Sequence, residues 1–132
     1  MKFFKSFILF VVAIFLSCLF FPLGIVYSTI KFIVTFKGKE SIKYISDFFY
    51  SIASSIDQTG NVVCQDLFND TLIKKGAFKF GHEDEKISSV IGKAEDRKKL
   101  TKTGWFLRNV LNFLDKDHAF RAIDKTIDYF IK

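Results

Sequence analysis

The sequence predicts an all-α protein: an N-terminal transmembrane helix followed by a small domain of four or five short helices. Three observations carry that expectation. Ser6 to Ile30 contains no charged residue and is bracketed by Lys5 and Lys31. Beyond it, apolar residues recur at spacings of three and four, the period of a helix with one buried face. Alternation of period two, the mark of a half-buried strand, is nowhere sustained over a useful length. The chain therefore divides into a membrane anchor with basic flanks at 1–36 and a small helical domain at 37–132.

The anchor comes first. Phe7 to Val26 is almost wholly Phe, Ile, Leu, Val and Ala, broken by Ser17, Cys18, Pro22 and Gly24. The uncharged run reaches about 37 Å as a helix, against a hydrocarbon core of about 30 Å. A core helix of a soluble domain shows a polar face, and this run shows none. Phe7, Leu16, Phe20, Phe21, Ile25 and Ile30 are the residues expected to meet lipid. Pro22 removes a backbone donor, so a kink is expected near Ser17 to Pro22. Two other readings stay open. Lys2 and Lys5 before an apolar stretch resemble a signal peptide, with a loose lipoprotein box at Phe15-Leu16-Ser17-Cys18, although the apolar run continues to Tyr27. A turn at Pro22 to Gly24 would instead leave a buried or interfacial helical hairpin.

Charge and cysteine content narrow the classes. The 132 residues carry 20 basic and 14 acidic side chains, a net charge of +6. Only Arg97, Arg108 and Arg121 are arginines, whereas phosphate recognition favours the arginine fork. Dispersed lysine points to solubility or to anionic lipid, and nucleic acid is not an expected partner. Lys31, Lys37, Lys39 and Lys43 outnumber Lys2 and Lys5, so the positive-inside rule leans towards a single-pass protein with a cytoplasmic C-terminal domain. The two cysteines, Cys18 and Cys64, fall in different regions and are not expected to pair. They also offer no zinc-ligand spacing.

Within the domain, 40–75 is an amphipathic helical segment and 82–132 holds the short helices. Ile42, Ile45, Phe49, Ile52 and Ile56 form the first stripe, which Phe48 widens. That face either packs on the domain or lies on the membrane surface beside the anchor. Gly60 interrupts it, and Val62, Val63, Leu67, Phe68, Leu72 and Ile73 resume a helical face that Lys74-Lys75-Gly76 ends. Asp57, Asn61 and Gln65, spaced by four, stack on one side if the helix is continuous. Gly76 to Gly81 is read as a linker. Asp84 and Glu85 are expected to open a short helix that Gly92 ends, with an exposed charged stretch from Glu95 to Lys102. Thr101 or Thr103 caps the next helix, with the stripe Phe106, Leu107, Val110, Leu111 and Leu114 and with Trp105 at its start. Asp117 caps the last, whose stripe is Phe120, Ile123, Ile127, Phe130 and Ile131.

Several of these residues form an ordered set. Ile56-Asp57-Gln58 and Gly60-Asn61 are followed by Gly81, Asp84-Glu85, Ile87-Ser88-Ser89, Gly92-Lys93 and finally Asp117-His118. The set resembles short bacteriophage and prophage proteins. These carry a hydrophobic segment ending in D-Q-x-x-N, a G-x-P-D-E-T-[IL]-S-[SA] box and a late D-H-C. The resemblance covers about Ile52 to Ile123 and implies a phage origin rather than a mechanism. Glu83, Lys86 and Ala119 stand where proline, threonine and cysteine are usual. If the late cysteine supplied a thiolate, this chain lacks it.

The polar residues that could converge are Asp57, Asn61, Asp84, Glu85, Ser88, Ser89, Asp117 and His118. Carboxylates with an imidazole can hold a divalent cation. The same residues can equally cap helices and bond backbone, the reading preferred here. The sequence shows no nucleophile elbow, P-loop, dinucleotide turn or zincin box, so the chain is read as non-enzymatic, without a cofactor. Three functional readings follow. The first is a phage-encoded membrane protein that acts through contacts with the bilayer and with a host or phage protein. The second is a holin-like or spanin-like lysis protein. The third is a virion component whose apolar helix is buried among other proteins. Oligomeric state is not legible.

Overall fold

The computed structural model describes residues 2–35 and 39–127. Among them are six helices: α1 (Lys2–Thr35), α2 (Lys39–Val63), α3 (Gln65–Thr71), α4 (Ile87–Asp96), α5 (Lys102–Leu114) and α6 (His118–Arg121). No strand occurs among the described residues; an isolated antiparallel bridge joins Ile73 to Leu100. The fold is all-α, as the sequence predicts. The chain divides into two compact units, with the boundary in sequence between Phe49 and Tyr50, inside α2.

The first unit contains α1. Its 34 residues include none that is buried, and it is long and apolar enough to cross a membrane. The helix runs through Pro22 as one element. Three of its hydroxyls bond their own backbone: Ser6 donates to the Lys2 carbonyl at 3.1 Å, Ser17 to the Ala13 carbonyl at 2.7 Å and Thr29 to the Ile25 carbonyl at 2.8 Å. Such self-satisfaction is what an apolar solvent demands of a hydroxyl. Phe36, the last residue of the expected anchor segment, lies outside the described residues with Lys37 and Gly38.

The second unit is built around α4. Every residue from Ser88 to Ala94 is buried, because α5 and α6 pack on this short helix and the 72–80 segment closes over it. The core is small: Leu72, Ile73, Phe78, Phe80, Val90, Ile91 and Leu100, with Ala77, Ala94 and Ala119 between them. Phe68 of α3 meets Phe80 edge-on, with ring centroids 5.2 Å apart. Arg97 lies 4.2 Å over the other face-forming ring, Phe78.

Several boundaries differ from the sequence reading, each for a local reason. Gly60 lies inside α2: it is a contact point, where a Cβ would meet the Ile87 Cδ1 at 3.0 Å. The amphipathic segment leaves the helix at Thr71 rather than Lys75, because Ile73 pairs with Leu100 and Lys74 donates to the Lys99 carbonyl. Residues 76–81 are core rather than linker, since Ala77, Phe78 and Phe80 are buried there. Gly92 is interior to α4, which ends at Asp96 in a Schellman turn. Lys98 takes the left-handed position at φ 56°, while Lys99 donates to Ala94 and Lys98 to Glu95. The charged stretch from Glu95 to Lys102 therefore contains a core residue, Leu100.

Thr101 caps α5 as expected, accepting from the Gly104 amide at 3.1 Å. The α5 stripe splits: Leu107 and Leu111 pack on the core, whereas Phe106, Val110 and Leu114 are exposed. The last helix is one turn long, and 122–127 is not helical. Side chains of α4 claim its backbone, with Ser89 accepting from the Asp124 amide at 3.0 Å and Lys93 donating to the Ile127 carbonyl. Phe130 and Ile131 lie outside the described residues.

Gly92 sets how closely α6 can approach α4, because a Cβ there would overlap the Ala119 carbonyl. Gly92→Ala is therefore expected to destabilise the domain by about 1–3 kcal/mol, against the gain of about 1 kcal/mol that alanine brings to a helix interior. Denaturant unfolding of the full chain in detergent, followed by circular dichroism, measures the sign.

Candidate functional site

The polar residues singled out in the sequence gather where α2 faces residues 80–89. Asn61 is wholly buried and all of its hydrogen-bonding groups point at that segment. Its amide nitrogen donates to the carbonyls of His82 and Glu85, both at 2.8 Å, and its oxygen accepts from the Gly81 amide at 3.1 Å. One turn earlier, Asp57 grips the start of α4. Its Oδ1 accepts from the Ile87 amide at 3.1 Å and its Oδ2 from the Ser88 hydroxyl at 2.9 Å. The expected role of Asp84 and Glu85 at that helix start is thus corrected: both precede α4, Lys86 holds the N-cap position without a side-chain bond, and Asp57 neutralises the helix end from thirty residues away. Asp84 joins the network through its backbone: its carbonyl accepts from Gln58 at 3.0 Å and its amide donates to His82 Nδ1 at 3.2 Å.

Glu85 turns into the interior. Its Oε1 accepts from the Ser89 hydroxyl at 2.8 Å and lies 2.5 Å from the Lys93 ammonium, with both partners nearly inaccessible to solvent. Its Oε2 has no hydrogen-bond partner. The Lys93 ammonium also lies 5.1 Å over the Phe78 ring. A buried pair of this kind holds conformation more than it adds net stability, because desolvating two ions cancels much of their attraction.

Asp117 and His118 belong to a different corner. Asp117 is left-handed, at φ 58°, and its side chain caps nothing, which corrects the expected cap; Asn112 of α5 instead accepts from the Ala119 amide. His118 pairs through Nδ1 with Asp115 Oδ2 at 3.1 Å, and Arg121 pairs with the other Asp115 oxygen. Bonds from His118 first, then Arg121, hold the Asp115 carboxyl below its ordinary value. Bonds from the Thr126 hydroxyl and amide lower Asp124 in the same way. A bond from Glu95, 2.5 Å away, raises the Arg108 guanidinium further.

The two corners share a cleft of about 460 Å³, lined among others by Tyr50, Asp57, Lys86, Ser88, His118 and Arg121. A serine and a histidine in one cleft invite comparison with a nucleophile and its base. Here each is engaged with a different carboxylate, Ser88 with Asp57 and His118 with Asp115. Among the described residues, no three His, Cys, Asp or Glu side chains are grouped to hold a metal ion.

The structure adds two residues outside the candidate set, Asn69 and Gln65. Asn69 bonds Phe80 twice, donating to its carbonyl at 3.2 Å and accepting from its amide at 2.9 Å. The Gln65 side chain covers Gly81, whose φ of +119° and close approach exclude a Cβ. The signal for both was the spacing of four from Asp57 through Asn61 and Gln65, which Asn69 continues. The D-Q-x-x-N residues and the box that begins at Gly81 are, in three dimensions, the two halves of one hydrogen-bond network. Ala119 is fully buried against Gly92.

Asn61→Ala leaves two buried carbonyls and one amide unpaired, at about 1–3 kcal/mol each, and is expected to unfold the domain or to lower its stability by at least about 3 kcal/mol. Asp57→Asn keeps the shape but weakens the cap and is expected to cost about 1 kcal/mol. Unfolding midpoints of the two full-length variants in detergent check the order.

Comparison with protein families, with curated proteins and with solved structures found no match to this chain.

Proposed function

We propose that this is a phage- or prophage-type membrane-anchored protein without chemistry of its own, whose helical domain acts through contacts with a host or phage protein at the bilayer. The observation that carries the reading is α1, a 34-residue helix with no buried residue, whose Ser6, Ser17 and Thr29 hydroxyls bond their own backbone. Water is a poor solvent for Phe7, Leu16, Phe20, Phe21, Ile25 and Ile30, all exposed, and hydrocarbon is a good one. The excess of lysine after α1 favours a cytoplasmic domain. The commitment of Asp57, Asn61, Glu85, Ser88 and Ser89 to internal hydrogen bonds supports a fold-holding role for the shared motifs. Nothing in the fold favours the lysis or virion readings over this one.

Expressed in bacterial cells, the full chain is expected to sediment with membranes and to resist alkaline carbonate. Leu16→Arg with Phe20→Arg places two charges near the middle of the helix at about 2.5–3.5 kcal/mol each, and is expected to abolish that retention. Recovery of the unaltered chain in the soluble fraction without detergent contradicts the proposal.

A further inference from the structure

The second unit carries an apolar surface that its own core does not use. On α5, Gly104, Leu107 and Leu111 face inward, which satisfies the core. A helix on the surface of a water-soluble domain would be polar on its other side. Instead Phe106, Val110 and Phe113 follow at i, i+4 and i+7 with Leu114 beside them, and Phe120 is exposed on the next helix, α6. Phe113 is 90% exposed, Leu114 76% and Phe106 70%. These are among the highest exposures of large apolar side chains in the second unit, and they lie within one short helix.

Charge is concentrated in the same stretch. Between Arg97 and Lys125 lie eight basic and three acidic residues; Arg108 pairs with Glu95 and Arg121 with Asp115, and the other cations include Lys98, Lys99, Lys102, Lys116 and Lys125. Lys102 precedes Phe106 by one turn and Lys116 follows Leu114, both exposed. Aromatic and aliphatic side chains flanked by exposed cations are the composition of a helix that lies in the headgroup layer of an anionic membrane. We propose that the outward face of α5 and α6 is a second membrane contact, in which Phe106, Val110, Phe113, Leu114 and Phe120 enter the boundary between headgroups and acyl chains while the neighbouring lysines meet anionic headgroups. This proposal rests on the anchor reading, because α1 is what keeps the domain near a bilayer. It accounts for both the exposed apolar face and the clustered charge, which neutral lipid or an acidic protein groove would match only in part.

The chain's single tryptophan is Trp105, so Trp105→Phe with Phe113→Trp moves the only indole onto the proposed face. The full-length double variant is reconstituted in vesicles of phosphatidylcholine alone or with phosphatidylglycerol, each with and without lipid brominated near the top of the acyl chain. Flotation of the vesicles reports α1, and indole quenching reports the α5 face. The expected result is flotation with both vesicles and bromine quenching about two-fold or more in the anionic ones, reduced by high salt. Adding Phe106→Ser to this variant should reverse the quenching without affecting flotation. Flotation without quenching overturns the proposal and leaves the anchor intact. Failure to float overturns the anchor reading and this one with it. A blue-shifted but unquenched indole, with crosslinking of the chain to itself, shows that a second copy covers the face and also overturns the proposal.

Discussion

The second unit depends on the carboxamide of Asn61. A buried amide with an unpaired group would be costly; with all three of its bonds made to one loop, it becomes a fixed joint. That joint holds residues 81–85 against α2, which puts the Ile87 amide within reach of Asp57 and thereby sets where α4 begins. The position of α4 in turn determines everything packed on it. Ser89 and Lys93 reach the backbone of 124–127, and Gly92 seats α6. Capping in this domain is done largely from a distance: Asp57 on α2 serves α4, and Asn112 on α5 serves α6. A short chain with few core residues can hold short helices in this way, because each distant cap fixes both a helix end and the packing of two elements.

The first unit follows a different rule. Nothing is buried in α1, so protein packing does not explain its length or its composition. Its order comes from backbone bonds within the helix, and its side chains ask only for an apolar surrounding. Helix α1 and the second unit are thus suited to different solvents. The proposed contact of α5 and α6 is the place where the water-exposed unit would share the solvent of the first.

How much of this was legible depended on the range of the interaction. The long apolar helix α1 was, because an uncharged apolar run of that length reads directly as one helix. Thr101 was legible as a cap because its bond is made three residues away. The start of α4 was not: Asp84 and Glu85 look like a local cap, and the residue that acts lies on another helix. Ala77, Phe78 and Phe80 looked like a linker because Lys79 and the flanking glycines break the pattern, yet a core segment needs no period when its backbone is bonded by Asn69. The last helix was over-extended for a related reason. Ile123 and Ile127 keep a helical spacing, but Ser89 and Lys93 take the backbone groups that a helix would need. Of the candidate residues, Asp57, Asn61, Glu85, Ser88 and Ser89 make their hydrogen bonds where α2 faces residues 80–89. Asp117 and His118 make their contacts elsewhere, around Asp115, which their order in the chain does not reveal.

The measurement closest to the central claim is hydrogen exchange at the Gly81 and Ile87 amides, followed by nuclear magnetic resonance on the full chain in detergent micelles. If Asn61 and Asp57 are the joint on which the domain depends, both amides exchange only when the whole domain unfolds, with protection equal to that of the interior amides of α4. Rapid exchange at Gly81 and Ile87 while α4 stays protected would contradict the account, since the loop would then open without cost to the fold.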